Sequence, residues 1–123
     1  MKLTENFSKE EFDSKDGAEM PCDVLENISK LATQLQILRD YTNLPININS
    51  GYRSVEHNRD IGGTSKSQHI LGKAADIVIK GMTPDETRAL IEFLIDNEIL
   101  NIKGLGSYDT FTHLDIRDEK ARW

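Results

Sequence analysis

A single cysteine, Cys22, stands in 123 residues, so the chain can form no internal disulfide and no thiolate metal cage. Basic residues are in deficit, 15 against 21 acidic ones, for a formal charge of −6. That balance provides no broad phosphate-binding face, and neither nucleic acid nor an anionic membrane is an expected partner. Long apolar runs are missing too. The longest, such as "ALIEFLI", fall far short of the ~20 residues that cross a bilayer, so no membrane insertion is expected. The opening "MKLTENFSKEEF" carries acids where a signal peptide would carry an apolar stretch. Synthesis in the cytoplasm without a signal peptide is the expectation, and a target beyond the membrane would then require release.

What is present suits one folded unit. An apolar share of 37% over this length supports a single core, and residues 1–123 are expected to form one domain without repeats or linkers. In "PCDVLENISKLATQLQILRDYTN", Val24, Ile28, Leu31, Leu35 and Leu38 recur at spacings of four and three, which predicts an amphipathic helix with Asp23 and Glu26 as a capping box. "LPININSGYR" alternates Ile46 and Ile48 with asparagines and reads as a strand ending in a turn that delivers Tyr52 and Arg53. "SVEHNRDIGGTSKSQ" reads as a turn of helix at most, followed by a loop.

Beyond that loop, "KAADIVIK" places Ala75, Ile77 and Ile79 on one strand face and Asp76 on the other. A second helix is predicted from Thr83, the N-cap, with Pro84 at its first position, Glu86 completing a capping box, and Leu90, Ile91, Leu94 and Ile95 as its buried stripe. "GLGSYDTFTHLDIR" reads as two antiparallel strands joined near Asp109, with Leu114 and Ile116 facing one way and His113 and Asp115 the other.

Hydrolytic metal sites commonly use two imidazoles and a carboxylate, leaving a position open for water. Here Asp76 begins one strand, His113 stands on the polar face of another, and His69 lies on the loop feeding Asp76. If the strands are neighbours, one ion could reach all three. By spacing alone, strand histidines are more often surface or hydrogen-bonded residues than ligands, and His57, among polar neighbours in "SVEHNRD", reads as a solvated helix residue.

Taken together, "SGYRSVEHNRDIGGTSKSQHILGKAADI" and "GLGSYDTFTHLDIR" resemble the zinc D-Ala-D-Ala carboxypeptidase family, especially its compact single-domain branch. The combined S-G-Y-R, S-x-H-x-x-G-x-A-x-D and H-x-D-x-R pattern carries the resemblance, which extends to "NFSKEEF" and "LQILRD". It implies an α+β fold of the hedgehog/DD-peptidase type, with a small, mainly antiparallel sheet packed with helices around a zinc site. It also implies one Zn2+ per chain, held by His69, Asp76 and His113. Gly72 would let the chain turn between the first two.

Arg53 falls on the arginine that binds substrate or stabilises an oxyanion in such relatives, although an ion pair with one of the many acids is the competing role. Ser67, Gln68 and Tyr108 join it as substrate-binding candidates. One departure stands out: where several of these peptidases carry a glutamate as general base, three residues before the last histidine, this chain has Thr110. Asp115 then becomes either the replacement base or the carboxylate that fixes an imidazole, with Asp109 the weaker candidate.

The implied activity is that of a metallopeptidase, acting as a monomer on peptidoglycan peptides, as a carboxypeptidase or an endopeptidase and in the setting of a phage or prophage lysin. A different class of function remains open, because hedgehog relatives show that this fold can hold zinc and serve as a binding domain.

Overall fold

A computed structural model describes residues 1–123. Periodicity explains most of its elements. Helix α1, Cys22–Thr42, buries Val24, Ile28, Leu31, Leu35 and Leu38 along one stripe. Its start differs from the expected capping box: Pro21 is the N-cap in extended conformation and no side chain caps the helix. Asp23 therefore already lies in the first turn, where its charge suits the helix dipole but cannot close the end. After β1, Ile46–Ser50, the short α2, Val55–Asp60, is capped by Ser54, whose hydroxyl accepts from His57 N–H.

Strand β2, Ala74–Ile79, comes after the glycine-bearing loop. Helix α3, Pro84–Asp96, starts with the Thr83–Glu86 capping box that its sequence predicts. Of its stripe, Ile91 and Leu94 are fully buried, while Leu90 and Ile95 pack at the margin of the core. Strands β3, Gly104–Ser107, and β4, Thr112–Asp115, form the expected antiparallel pair.

The sheet order is β1-β2-β4-β3-β5, antiparallel except where β5, Ala121–Arg122, joins β3 in parallel. Alternation divides its two faces. Ala75, Ile77 and Ile79 of β2, Leu105 of β3 and Leu114 of β4 enter a core shared with α1 and α3, whereas Asp76, His113 and Asp115 emerge opposite. Before α1, a single 3₁₀ turn, Lys9–Phe12, buries Phe12, and Tyr52 N–H donates to Phe12 O at 2.8 Å.

Two local features bind the functional loops to this frame. Gly72 has φ +73°, and a Cβ there would lie 2.7 Å from Val24 Cγ1 and 2.8 Å from Val24 O. The turn between His69 and Asp76 thus needs both a left-handed backbone and close approach to α1. Asp16 accepts from Ser14 Oγ at 2.7 Å, Ser54 Oγ at 2.6 Å and Ala18 N–H at 3.0 Å, tying the segment before α1 to the cap of α2. These bonds, led by that from Ser14, lower its pKa from 3.8 to about 2.

The Gly72→Ala variant should lose at least about 2 kcal/mol of stability in urea unfolding, from backbone strain and overlap with Val24 together; an unchanged midpoint would refute this account of the turn. Asp16 gives a pH-dependent expectation. Because folding depresses its pKa, its contribution is present above the ordinary value of 3.8 and is lost as pH falls through about 2. The stability difference between the native chain and Asp16→Asn should therefore narrow across that window when unfolding is measured at a series of pH values.

Candidate metal centre

Strand register assembles the site. Asp76 pairs directly with His113 across β2 and β4, and His69 is returned to the same place by the turn before β2. Asp76 Oδ1 lies 3.2 Å from His69 Nε2 and 3.1 Å from His113 Nδ1. The rings meet edge-on with centroids 5.2 Å apart, and all three residues are buried.

The far side of each ring decides its tautomer. His69 Nδ1–H donates to Gly51 O at 2.7 Å, and a carbonyl can only accept, so Nε2 keeps a lone pair. His113 Nε2–H donates to Asp115 Oδ2 at 2.7 Å, leaving Nδ1 as the free acceptor. Two imidazole lone pairs and a carboxylate oxygen thus converge within 4.8 Å of one another. Three acceptors facing one point repel unless a cation or a proton lies among them. Two neutral nitrogens and one oxygen suit a borderline divalent ion such as zinc, so the donor set fits the metal that the sequence implies.

The surrounding charges agree. Burial alone would raise the pKa of Asp76, but His113 and His69 outweigh it and hold this carboxylate below its ordinary range. Burial would lower the pKa of His113, yet Asp115 and Asp76 raise it above the usual value. In the metal-free chain a proton can therefore reside where a cation would otherwise bind, and metal uptake competes with it.

Arg53 joins the same carboxylate. Its Nη2 lies 3.2 Å from Asp76 Oδ2, while Nε–H donates to Ser50 Oγ at 3.2 Å. The ion pair anticipated as an alternative therefore involves the central carboxylate itself, and the guanidinium still borders the open cleft beside the site. That cleft encloses about 570 Å³, and Ser67, Gln68 and Tyr108 also line it. Ser67 Oγ accepts from His69 N–H at 3.2 Å, which helps to shape the loop.

Asp115 lies elsewhere. It is wholly buried, and Arg117 grips it with Nε–H at 2.8 Å and Nη2–H at 2.7 Å. Burial would raise its pKa, but Arg117 and His113 hold the group well below the carboxylate range. It stands behind the imidazole, away from Asp76, and does not line the cleft. This position matches the imidazole-fixing of the two roles its strand face allowed; as the replacement base it has no contact with the cleft. Asp109 and Thr110 are exposed and also outside the cleft lining, and His57 sits half-buried on α2.

Sequence reasoning missed Arg117 and Trp123. Arg117 was visible as the last member of H-x-D-x-R; Trp123 was not, because its position depends on the two-residue strand β5.

Asp115→Asn should weaken zinc binding by roughly 10- to 100-fold while the chain stays folded, since the imidazole loses the anion that fixes its tautomer. Competition with a chelator measures it, and unchanged affinity would remove Asp115 from support of the site. His69→Ala, Asp76→Ala and His113→Ala should each abolish stoichiometric zinc, while His57→Ala retains it.

Comparison with known proteins bears on this geometry. A zinc D-Ala-D-Ala carboxypeptidase of Streptomyces albus G is 52% identical over 33 residues, 27% of this chain. The match spans 13% of that protein's length. The pattern of the family described as Peptidase M15 extends over residues 5–115, taking in α1, the sheet through β4, and His69, Asp76 and His113. With nine-tenths of its length inside that pattern, the chain belongs to the Peptidase M15 family.

Proposed function

We propose that this protein is a zinc-dependent peptidase of the bacterial cell wall, hydrolysing an amide bond in peptidoglycan stem peptides or cross-bridges. The observation that carries the reading is the convergence of His69, Asp76 and His113 on one point beside a cleft bordered by Arg53. His69, Asp76 and His113 would hold the ion, which when bound supplies Lewis acidity to the scissile carbonyl and to water. Gly51 O and Asp115 keep the two imidazoles in the tautomers that binding needs. Arg53 orients Asp76 and offers its planar fork to a substrate carboxylate or to the developing oxyanion. The substrate class is supported by the family and by the relative whose name specifies D-Ala-D-Ala.

A second reading, a zinc-holding binding domain, has one observation in its favour: Asp76 is the only acidic side chain lining the cleft. Activity decides between them. Zinc-loaded protein should cleave wall peptides containing D-amino acids and leave casein intact; chelator should stop the reaction and zinc restore it. Mass analysis distinguishes loss of a terminal D-alanine from cleavage within a cross-bridge. Intact sacculi and intact stem peptides from several wall types, with binding retained, would establish the binding domain instead.

Arg53→Lys should retain zinc and fold while kcat/KM falls roughly 10- to 100-fold, because the charge remains and the two-pronged geometry is lost. Wild-type turnover would reduce Arg53 to a structural partner of Asp76. We further propose one self-contained domain acting as a monomer, expected to sediment at 13.9 kDa, in the setting of a phage or prophage lysin. The resemblance to compact single-domain enzymes supports that setting, and lysis on expression together with a holin tests it.

A further inference from the structure

The family match ends at residue 115, yet Arg117 and Trp123, both beyond it, line the cleft. Pairing of β5 with β3 brings Trp123 beside the site: its N–H donates to Leu105 O at 3.2 Å, and Ser107 N–H donates to Trp123 O at 2.8 Å. The indole centroid lies 4.8 Å from that of His113, and the Arg117 guanidinium sits 5.1 Å over the indole. Gly106 makes room, since a Cβ there would fall 2.5 Å from indole atoms. Backbone pairing, ring packing and the cation together hold the indole in one place.

The fixed indole in turn orients Tyr108. Trp123 Nε1–H donates to the Tyr108 hydroxyl at 2.9 Å, and the phenol ring stacks on Phe111 with centroids 4.5 Å apart. An indole N–H can only donate, so the phenol oxygen is the acceptor and its own proton must point elsewhere. The hydroxyl makes no other hydrogen bond within the chain, and Tyr108 is 43% exposed on the lining of the cleft. We propose that Trp123 is a positioning residue for Tyr108, whose hydroxyl donates a hydrogen bond to an amide carbonyl oxygen of the peptide in the cleft. This rests on the peptidase reading above. Accepting from the indole polarises the phenol and strengthens it as a donor, and a donor aimed where charge develops acts on the transition state more than on the bound substrate.

The test is a double-mutant cycle on the zinc-loaded chain with a defined stem peptide ending in D-Ala-D-Ala. Trp123→Phe keeps an aromatic ring and removes the N–H; Tyr108→Phe keeps the stack on Phe111 and removes the hydroxyl. Each should lower kcat roughly 10- to 100-fold with little change in KM and with zinc content intact. The double variant should be no slower than Tyr108→Phe, because the indole acts through the hydroxyl. Losses that multiply, wild-type rates in Trp123→Phe, or loss of zinc in that variant would overturn the proposal.

A second measurement does not need the tryptophan variant to fold. Trp123 is the only tryptophan, so its emission should change when a non-hydrolysable phosphinate analogue of the same peptide enters the cleft, and Tyr108→Phe should bind that analogue at least about tenfold more weakly. Cleavage by the native chain with silent emission or equal affinities overturns this inference alone. Neither cleavage nor analogue binding by the native chain overturns the peptidase reading, and this inference with it.

Discussion

The register of β2 against β4 is the constraint on which the rest depends. Asp76 stands opposite His113, and their neighbours Ala75 and Leu114 stand opposite each other. Because strand side chains alternate, the pairing that sends Ala75 and Leu114 into the core is the pairing that brings Asp76 and His113 together on the other face. A slip of one residue would drive a carboxylate and an imidazole into apolar surroundings and expose the residues now buried. Each large core side chain lost to solvent would cost about 1.5–3 kcal/mol. The core therefore enforces the metal centre without touching it.

Holding charge on a buried face carries its own cost. Asp115 has no solvent access, and an unpaired carboxylate there would destabilise the chain by several kcal/mol. Arg117 supplies three hydrogen bonds, two from its guanidinium and one from its backbone N–H, and His113 a fourth, and no buried side-chain nitrogen or oxygen lacks a partner. Small residues make the space: Ala74 and Gly104 pair with Asp115 from either side, and a Cβ on Gly104 would fall 2.1 Å from its Oδ1. His113 thus stands between two carboxylates, donating from Nε2 to Asp115 and turning its Nδ1 lone pair toward Asp76. Only the second of these faces the cleft, which gives the imidazole one fixed direction for its free lone pair.

Much of this was legible in the sequence because the elements concerned are long or alternate cleanly. The heptad-like stripe of α1, the capping box at Thr83 and the two faces of β2 come directly from spacing. The start of α1 did not, because Pro21 opens the helix ahead of the acid expected to cap it. The 3₁₀ turn at Lys9–Phe12 and the two-residue β5 are too short for any periodicity, so nothing local distinguished them from loop. The spacing of His69, Asp76 and His113 suggested a common site only with the pattern around it; their proximity is a property of strand pairing, which no local window contains. Asp115 shows the same limit. Its face was readable, but which side of the imidazole it occupies depends on Arg117 and Gly104.

Strand β3 couples core, metal centre and cleft through the segment Gly104–Leu105–Gly106. Leu105 points into the core, Gly104 leaves room for the Asp115 carboxylate, and Gly106 leaves room for the Trp123 indole. Support of the metal centre and one wall of the cleft are thus built on alternate residues of a single strand. A side chain at position 104 would collide with the group that fixes His113, whereas one at 106 would displace the indole and leave Asp76, His113 and His69 in register. The two glycines therefore separate support of the metal centre from the shape of the cleft at alternate sites on one face.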